Sequence, residues 1–148
     1  MIMIKIYWNY FKYIIEHKKN VAIECLKLGL YWHAITHDLS KFLPSEFYAY
    51  AEKFFSGDYA YKFHEVEGNF EIAWLHHQHR NKHHWDYWVN SSGVPMQMPE
   101  RYVKQMIADW NAMGRKFGDT AAEYYQKNQS RMKLHSHTRN MLDRVLIG

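Results

Sequence analysis

The first 28 residues constrain the fold most. Met1 to Ile15 is apolar and aromatic, but Lys5, Asn9, Lys12 and Glu16 interrupt it. A bilayer span needs about 20 nearly uncharged residues, so this segment cannot be one. It also lacks the basic start, compact apolar run and small-residue cleavage site of a signal peptide. The pattern predicts a long amphipathic helix running to about Leu28 and stopped by Gly29.

The same period returns along the chain. Leu30 to Phe42 reads as a second helix, with Leu30, Ala34, Leu39 and Phe42 among its apolar positions. Pro44 sits where a first helical turn tolerates it, and Ser45 to Phe55 continues as a third helix before Ser56-Gly57. Asp58 to Asn69 is polar and irregular, and Phe70 to about Arg80 returns to helical spacing. Asn81 to Gln97 reads as a loop, and a loop that long in a compact domain is usually functional. Pro99 opens a fifth helix, which Gly114 with Gly118 should end; its stripe is Tyr102, Val103, Met106, Ile107, Trp110 and Met113. Thr120-Ala-Ala-Glu123 is a capping-box pattern for a sixth helix, and a seventh is expected over Ser136 to Ile147. No strand is persuasive. The expected fold is all-α, one helical domain over residues 1–148 with about seven helices.

Composition narrows the function classes. Hydrophobic residues make up 47% of the chain, enough for a core and against disorder. The +4 charge is mild, and Lys and Arg form no dense block, so specific nucleic-acid binding is not expected. A small anionic, phosphate-containing substrate remains compatible. The one cysteine, Cys25, rules out an intramolecular disulfide and thiolate-rich metal sites, which fits a reducing, cytoplasmic compartment. No membrane association is expected, and the oligomeric state is left open, a homodimer among the options.

Histidine is the exception in this composition. There are 11, where background usage would give roughly three. Seven fall in two short stretches: His33 and His37, then His76, His77, His79, His83 and His84. In the second helix His33, His37 and Lys41 would fall four apart on one face, with Asp38 about 100° round. An imidazole beside a carboxylate is a mixed N/O donor set that suits zinc, manganese, iron or nickel better than calcium.

In order, the candidate ligands are His17, His37-Asp38, His76-His77, His83-His84 and Asp109. This order resembles the HD-domain superfamily of metal-dependent phosphohydrolases, over about Glu16 to Met113. His37-Asp38-Leu39-Ser40-Lys41 looks like the His-Asp-x-x-Lys motif of its cyclic-dinucleotide phosphodiesterase branch. Ala108-Asp109-Trp110-Asn111-Ala112-Met113 is similar to the segment around that branch's last aspartate. The branch's Gly-Tyr-Pro signature is absent here, and Gln78 stands where it has glutamate. His77-x-x-x-Asn81-x-His83-His84-Trp85 together with His37-Asp38-Leu39-Ser40-Lys41-Phe42 also resembles a small uncharacterised family of bacteria and their phages.

The resemblance implies one or two divalent transition-metal ions, Mn, Zn, Ni or Fe, in an all-α bundle. His17, His37, Asp38 and Asp109 would bind the first and meet around one point. His77, His83 and His84 are candidates for a second ion, or for contacting phosphate. Periodicity alone leaves the pairs His77/His84 and His76/His83 equivalent. Lys41 and Asp38 are the expected catalytic residues, and Lys41, Arg80 and Trp85 the expected substrate contacts. The leading expectation is hydrolysis of a nucleotide or other small phosphate ester by metal-activated water. The alternatives are an HD-type di-iron oxygenase and a non-catalytic helical protein that binds metal or nucleotide.

Overall fold

The computed structural model describes all 148 residues, Met1–Gly148. Seven α-helices carry the chain: α1 (Ile2–Lys27), α2 (Tyr31–Thr36), α3 (Pro44–Phe55), α4 (Val66–Arg80), α5 (Glu100–Phe117), α6 (Ala121–Asn128) and α7 (Ser136–Leu146). Short 3-10 turns lie at Leu39–Phe42, Gly57–Lys62 and Trp85–Trp88, and the one extended pairing is the bridge Val89–Pro95. The all-α expectation is met. No helix is long and apolar enough to cross a membrane.

The backbone contacts group into two compact units, Met1–Lys18 with Asp38–Arg80, and Lys19–His37 with Asn81–Gly148. In the first unit, Ile6, Tyr10 and Ile14 recur every four residues along α1 and are buried with Tyr50, Ala51 and Ala73. Ala51 and Ala73 are fully covered and small, which lets α3 and α4 approach closely, while Phe70 packs edge-on to Tyr50 and Phe54 at 5.2 and 5.1 Å. Helix α4 begins at Val66, four residues before the expected Phe70, and Lys53 of α3 pairs with Glu67 of its first turn.

In the second unit Met98, Val103, Met106, Ile107, Ala121, Tyr125, Met132 and Leu142 form the main core. A smaller cluster gathers Val21 and Cys25 of α1 with Ala108 and Ala112 of α5. The end of α1 closes as a Schellman motif: Gly29 adopts φ +70°, and the Leu30 N–H donates to the Cys25 carbonyl at 2.9 Å. Thr120 and Glu123 make the predicted capping box at α6.

The end of α5 differs from expectation. Gly114 lies inside the helix, and the helix stops at Gly118, in the left-handed region at φ +88°. A Cβ at position 114 would meet the Asp119 carbonyl oxygen at 1.9 Å, so Gly114 is there for the returning chain and not as a stop.

Candidate metal centre

The helix expected over Leu30 to Phe42 is broken at its centre. The α2 helix ends at Thr36, His37 is extended at φ −53° and ψ 128°, and Asp38 is left-handed at φ +53°. Aspartate is among the few non-glycine residues that tolerate that region. Downstream, Pro44 at the start of α3 holds Leu43 extended, so the intervening residues form only a 3-10 turn. His33, His37 and Lys41 therefore do not share a helical face. In a 3-10 turn side chains three apart eclipse, and this brings Lys41 onto Asp38: Nζ to Oδ2 is 2.7 Å.

Asp38 is the focus of the first unit. Its side chain is 1% exposed; Oδ1 lies 3.4 Å from His77 Nε2, and Oδ2 lies 3.8 Å from Nε2 of buried His17. Behind His77 stands Glu46, wholly buried in the first turn of α3. Its Oε2 is 2.9 Å from His77 Nδ1 and accepts from Ser40 Oγ at 2.8 Å, and its Oε1 accepts from Arg80 Nη1 at 2.9 Å. Burial opposes the Glu46 charge, but the bonds to His77, Ser40 and Arg80 outweigh it and hold the carboxyl below its ordinary range. A carboxylate on Nδ1 orients the ring and turns Nε2 toward Asp38, the usual outer support of a ligating histidine. Burial, reinforced by the charges of Asp38 and Glu46, pushes the phenols of Tyr10 and Tyr50 up, so they stay neutral in a dry interior.

In the second unit the carboxylate is Asp109. His37 Nε2 and His83 Nε2 lie 3.5 and 3.8 Å from the two oxygens of Asp109 on α5. His33 Nε2 stands 3.1 Å from His37 Nδ1, so His33 supports His37. One donor atom each of His33, His37 and His83 falls within 4.8 Å of the others. His83 is held by the segment expected as an open loop, which ties itself down. Trp88 Nε1 donates to the Lys82 carbonyl at 2.8 Å, and the Asn90 side chain accepts from the N–H groups of Ser92 and Val94.

These separations fit metal ligation. Two donors bound to one ion at about 2.0–2.2 Å stand roughly 3–3.6 Å apart. The His77–Asp38 and His37–Asp109 pairs at 3.4 and 3.5 Å fall in that interval, and the two 3.8 Å pairs lie just beyond it. All four are at or past the limit of a good hydrogen bond. Buried carboxylates ringed by imidazole Nε2 atoms, with Nδ1 engaged elsewhere on His37 and His77, suit a divalent transition metal.

Not every expected residue lands alike. His17, His37, Asp38, His77 and His83 are buried, and Asp109 is half-buried. Helix rotation decides within the first doublet, where His77 is covered and His76 exposed; in the turn after α4 His83 is covered and His84 half-buried, its ring 4.3 Å from that of His83. Arg80, expected to contact substrate, is engaged with Glu46 and lies near Ser45. Trp85 packs, as Trp88 does, against the core around Met98. Glu46 was missed. A glutamate in a first helical turn is favourable on any helix for dipole reasons, so nothing local distinguishes it.

No curated protein and no solved structure matches the chain. A family model described as "Family of unknown function (DUF5662)" matches residues 6–147, nearly the whole length, and the chain belongs to that family.

Proposed function

We propose that this chain is a metal-dependent phosphohydrolase acting on a nucleotide or another small phosphate ester. The observation that carries the proposal is the buried Asp38 carboxylate, met by two histidine Nε2 atoms at 3.4 and 3.8 Å and by the Lys41 ammonium at 2.7 Å. In the first unit His17, Asp38 and His77 would hold an ion, and in the second His37, His83 and Asp109 would do so, with His84 adjoining that set. The His37–Asp38 peptide bond makes the two sets neighbours in the chain. A bound divalent ion supplies a Lewis acid and a water acidified toward neutrality.

The protein's own groups do the rest. Glu46 holds His77 in one tautomer, and Ser40 and Arg80 hold Glu46. Lys41 has three N–H donors, so one can stay on Asp38 while another takes a phosphoryl oxygen. It thereby adds a positive charge where negative charge grows in the transition state. Hydrolysis, the HD-type fold and a cytoplasmic setting belong to this proposal and rest on the motif order together with the clusters.

The test is elemental analysis of the purified chain followed by phosphate release from a panel of nucleotides. Manganese, nickel or zinc with release supports the proposal. Two irons with oxygen uptake would instead indicate the oxygenase, and bound metal without turnover a binding protein. Lys41→Ala is expected to keep its metal and lose about 10²-fold in turnover, the effect of removing one electrostatic stabiliser. Loss of the metal with the lysine would show that Lys41 sustains the ligand set and not the substrate.

A further inference from the structure

The buried side of α1 has an exposed counterpart that is also apolar. Ile4, Trp8 and Ile15 are 73%, 58% and 48% exposed, and Phe11 between them is partly so. On a helix these four fall within about 60° of one another, centred about 130° round from the stripe of Ile6, Tyr10 and Ile14. Trp8 stacks on Phe11 at 5.6 Å, and Phe11 meets Phe42 edge-on at 6.2 Å, so the face continues onto the 3-10 turn where Leu39 is also exposed, with Leu43 just beyond.

Its spacing is symmetric. The steps between Ile4, Trp8, Phe11 and Ile15 are four, three and four residues, the same read from either end. A twofold axis between Trp8 and Phe11 therefore sets Ile4 against a second copy's Ile15, and Trp8 against its Phe11. That self-complementarity is what an isologous interface requires. The exposed apolar area, with Leu39 and Leu43, is on the order of 500 Å² per copy, about 1,000 Å² for the pair and the lower bound for a specific interface. It also matches the largest apolar patch that a typical monomer leaves uncovered.

We propose that this face of α1 is a homodimer interface, with the two α1 helices antiparallel across it. The interface lies wholly in the first unit and does not depend on the metal or on phosphohydrolase activity.

Light scattering on the full chain at micromolar concentration tests it. The expected mass is twice the 18.0 kDa of one chain. Trp8→Glu should return the single-chain mass with unchanged helical circular dichroism, because the residue is exposed. Val145→Glu, the same charge on an exposed residue of α7, should leave the dimer intact. A wild-type chain at the single mass, a Trp8→Glu chain still at the double mass, or a Val145→Glu chain that dissociates would each overturn the proposal. Direction is read by cross-linking. Positions 4 and 15 of one helix are about 16 Å apart. A thiol linker shorter than that should join Ile4→Cys chains to Ile15→Cys chains and neither variant to itself, since Cys25 is fully buried. Self-linking of Ile4→Cys would exclude the antiparallel arrangement.

Discussion

The two carboxylates that histidines converge on, Asp38 in the first unit and Asp109 in the second, keep different company. In the first, Asp38 has Lys41 at 2.7 Å and Glu46 has Arg80 at 2.9 Å, so two negative charges sit beside two permanent positive ones. In the second, Asp109 is met by the imidazoles of His37 and His83, with His33 behind His37. A lysine or arginine keeps its charge at any physiological pH. An imidazole adds charge only when it takes up a proton, and otherwise offers a lone pair. Both carboxylates thus face imidazole lone pairs that suit a metal, but the first also carries fixed counter-charges, Lys41 on Asp38 and Arg80 on Glu46. The consequence is that metal removal and mutation should act unequally on them.

The largest expected effect is on Asp38. Asp38→Ala should lose bound metal and turnover together, and so should Asp109→Ala, since each removes the carboxylate its histidines converge on. The comparison is sharpened by unfolding both variants in the presence of a chelator. Asp38→Ala leaves the mostly buried Lys41 ammonium without its carboxylate and should cost on the order of 3 kcal/mol. Asp109→Ala leaves groups that can be neutral and should cost clearly less. Equal losses of stability would erase the distinction between the clusters.

Next in size is Glu46. Glu46→Gln keeps the shape but weakens the hold on His77 Nδ1, so metal affinity should fall about 10- to 100-fold, as for other outer partners of ligating histidines. Calorimetric titration with zinc measures it. The ¹⁵N shifts of the His77 ring should report a lost preference for the tautomer protonated on Nδ1. Unchanged affinity would reduce Glu46 to a partner of Arg80.

A smaller effect belongs to the fixed ion pair of the second unit. Burial opposes the charge on Glu24, but Lys27 and Arg115 outweigh it and hold its carboxyl below the ordinary value of 4.5. A lowered carboxyl stabilises the fold above its unfolded pKa, and that contribution is lost as pH falls through the folded value. Glu24→Gln should cost about 1 kcal/mol at neutral pH, the upper range for such pairs, and nothing once both chains are well below pH 4.5. Urea unfolding against pH follows the difference. A gap that persists in acid would mean packing and not charge.

The smallest effect is expected at Cys25. Burial, with Asp109 and Glu24 nearby, pushes its thiol up to about 11, so at neutral pH it should resist thiol reagents until the chain unfolds. Cys25→Ser should leave metal content and turnover unchanged. A fast-reacting thiol in the native chain would place Cys25 near solvent, and Asp109 with it.

What could be read from the residues was whatever depends on neighbours in the chain. The period of α1 and its stop at Gly29, Pro44 at the head of α3 and the Thr120–Glu123 box at α6 are set by local backbone geometry, and they appear where expected. Residue type likewise made His17, His37, Asp38, His77, His83 and Asp109 candidates. Tertiary structure decided how they are aimed. His76 and His77 differ by only about 100° of rotation on α4, and the packing of Ala73 and Phe70 against α3 is what turns His77 inward. The Leu30–Phe42 period favoured one continuous helix, but the folded chain bends at Asp38 into the left-handed region and puts Lys41 on Asp38 instead of below His37. Glu46 finds Arg80 across 34 positions and His77 across 31. No period or cap in the sequence encodes such contacts, because they join segments that meet only when helices pack.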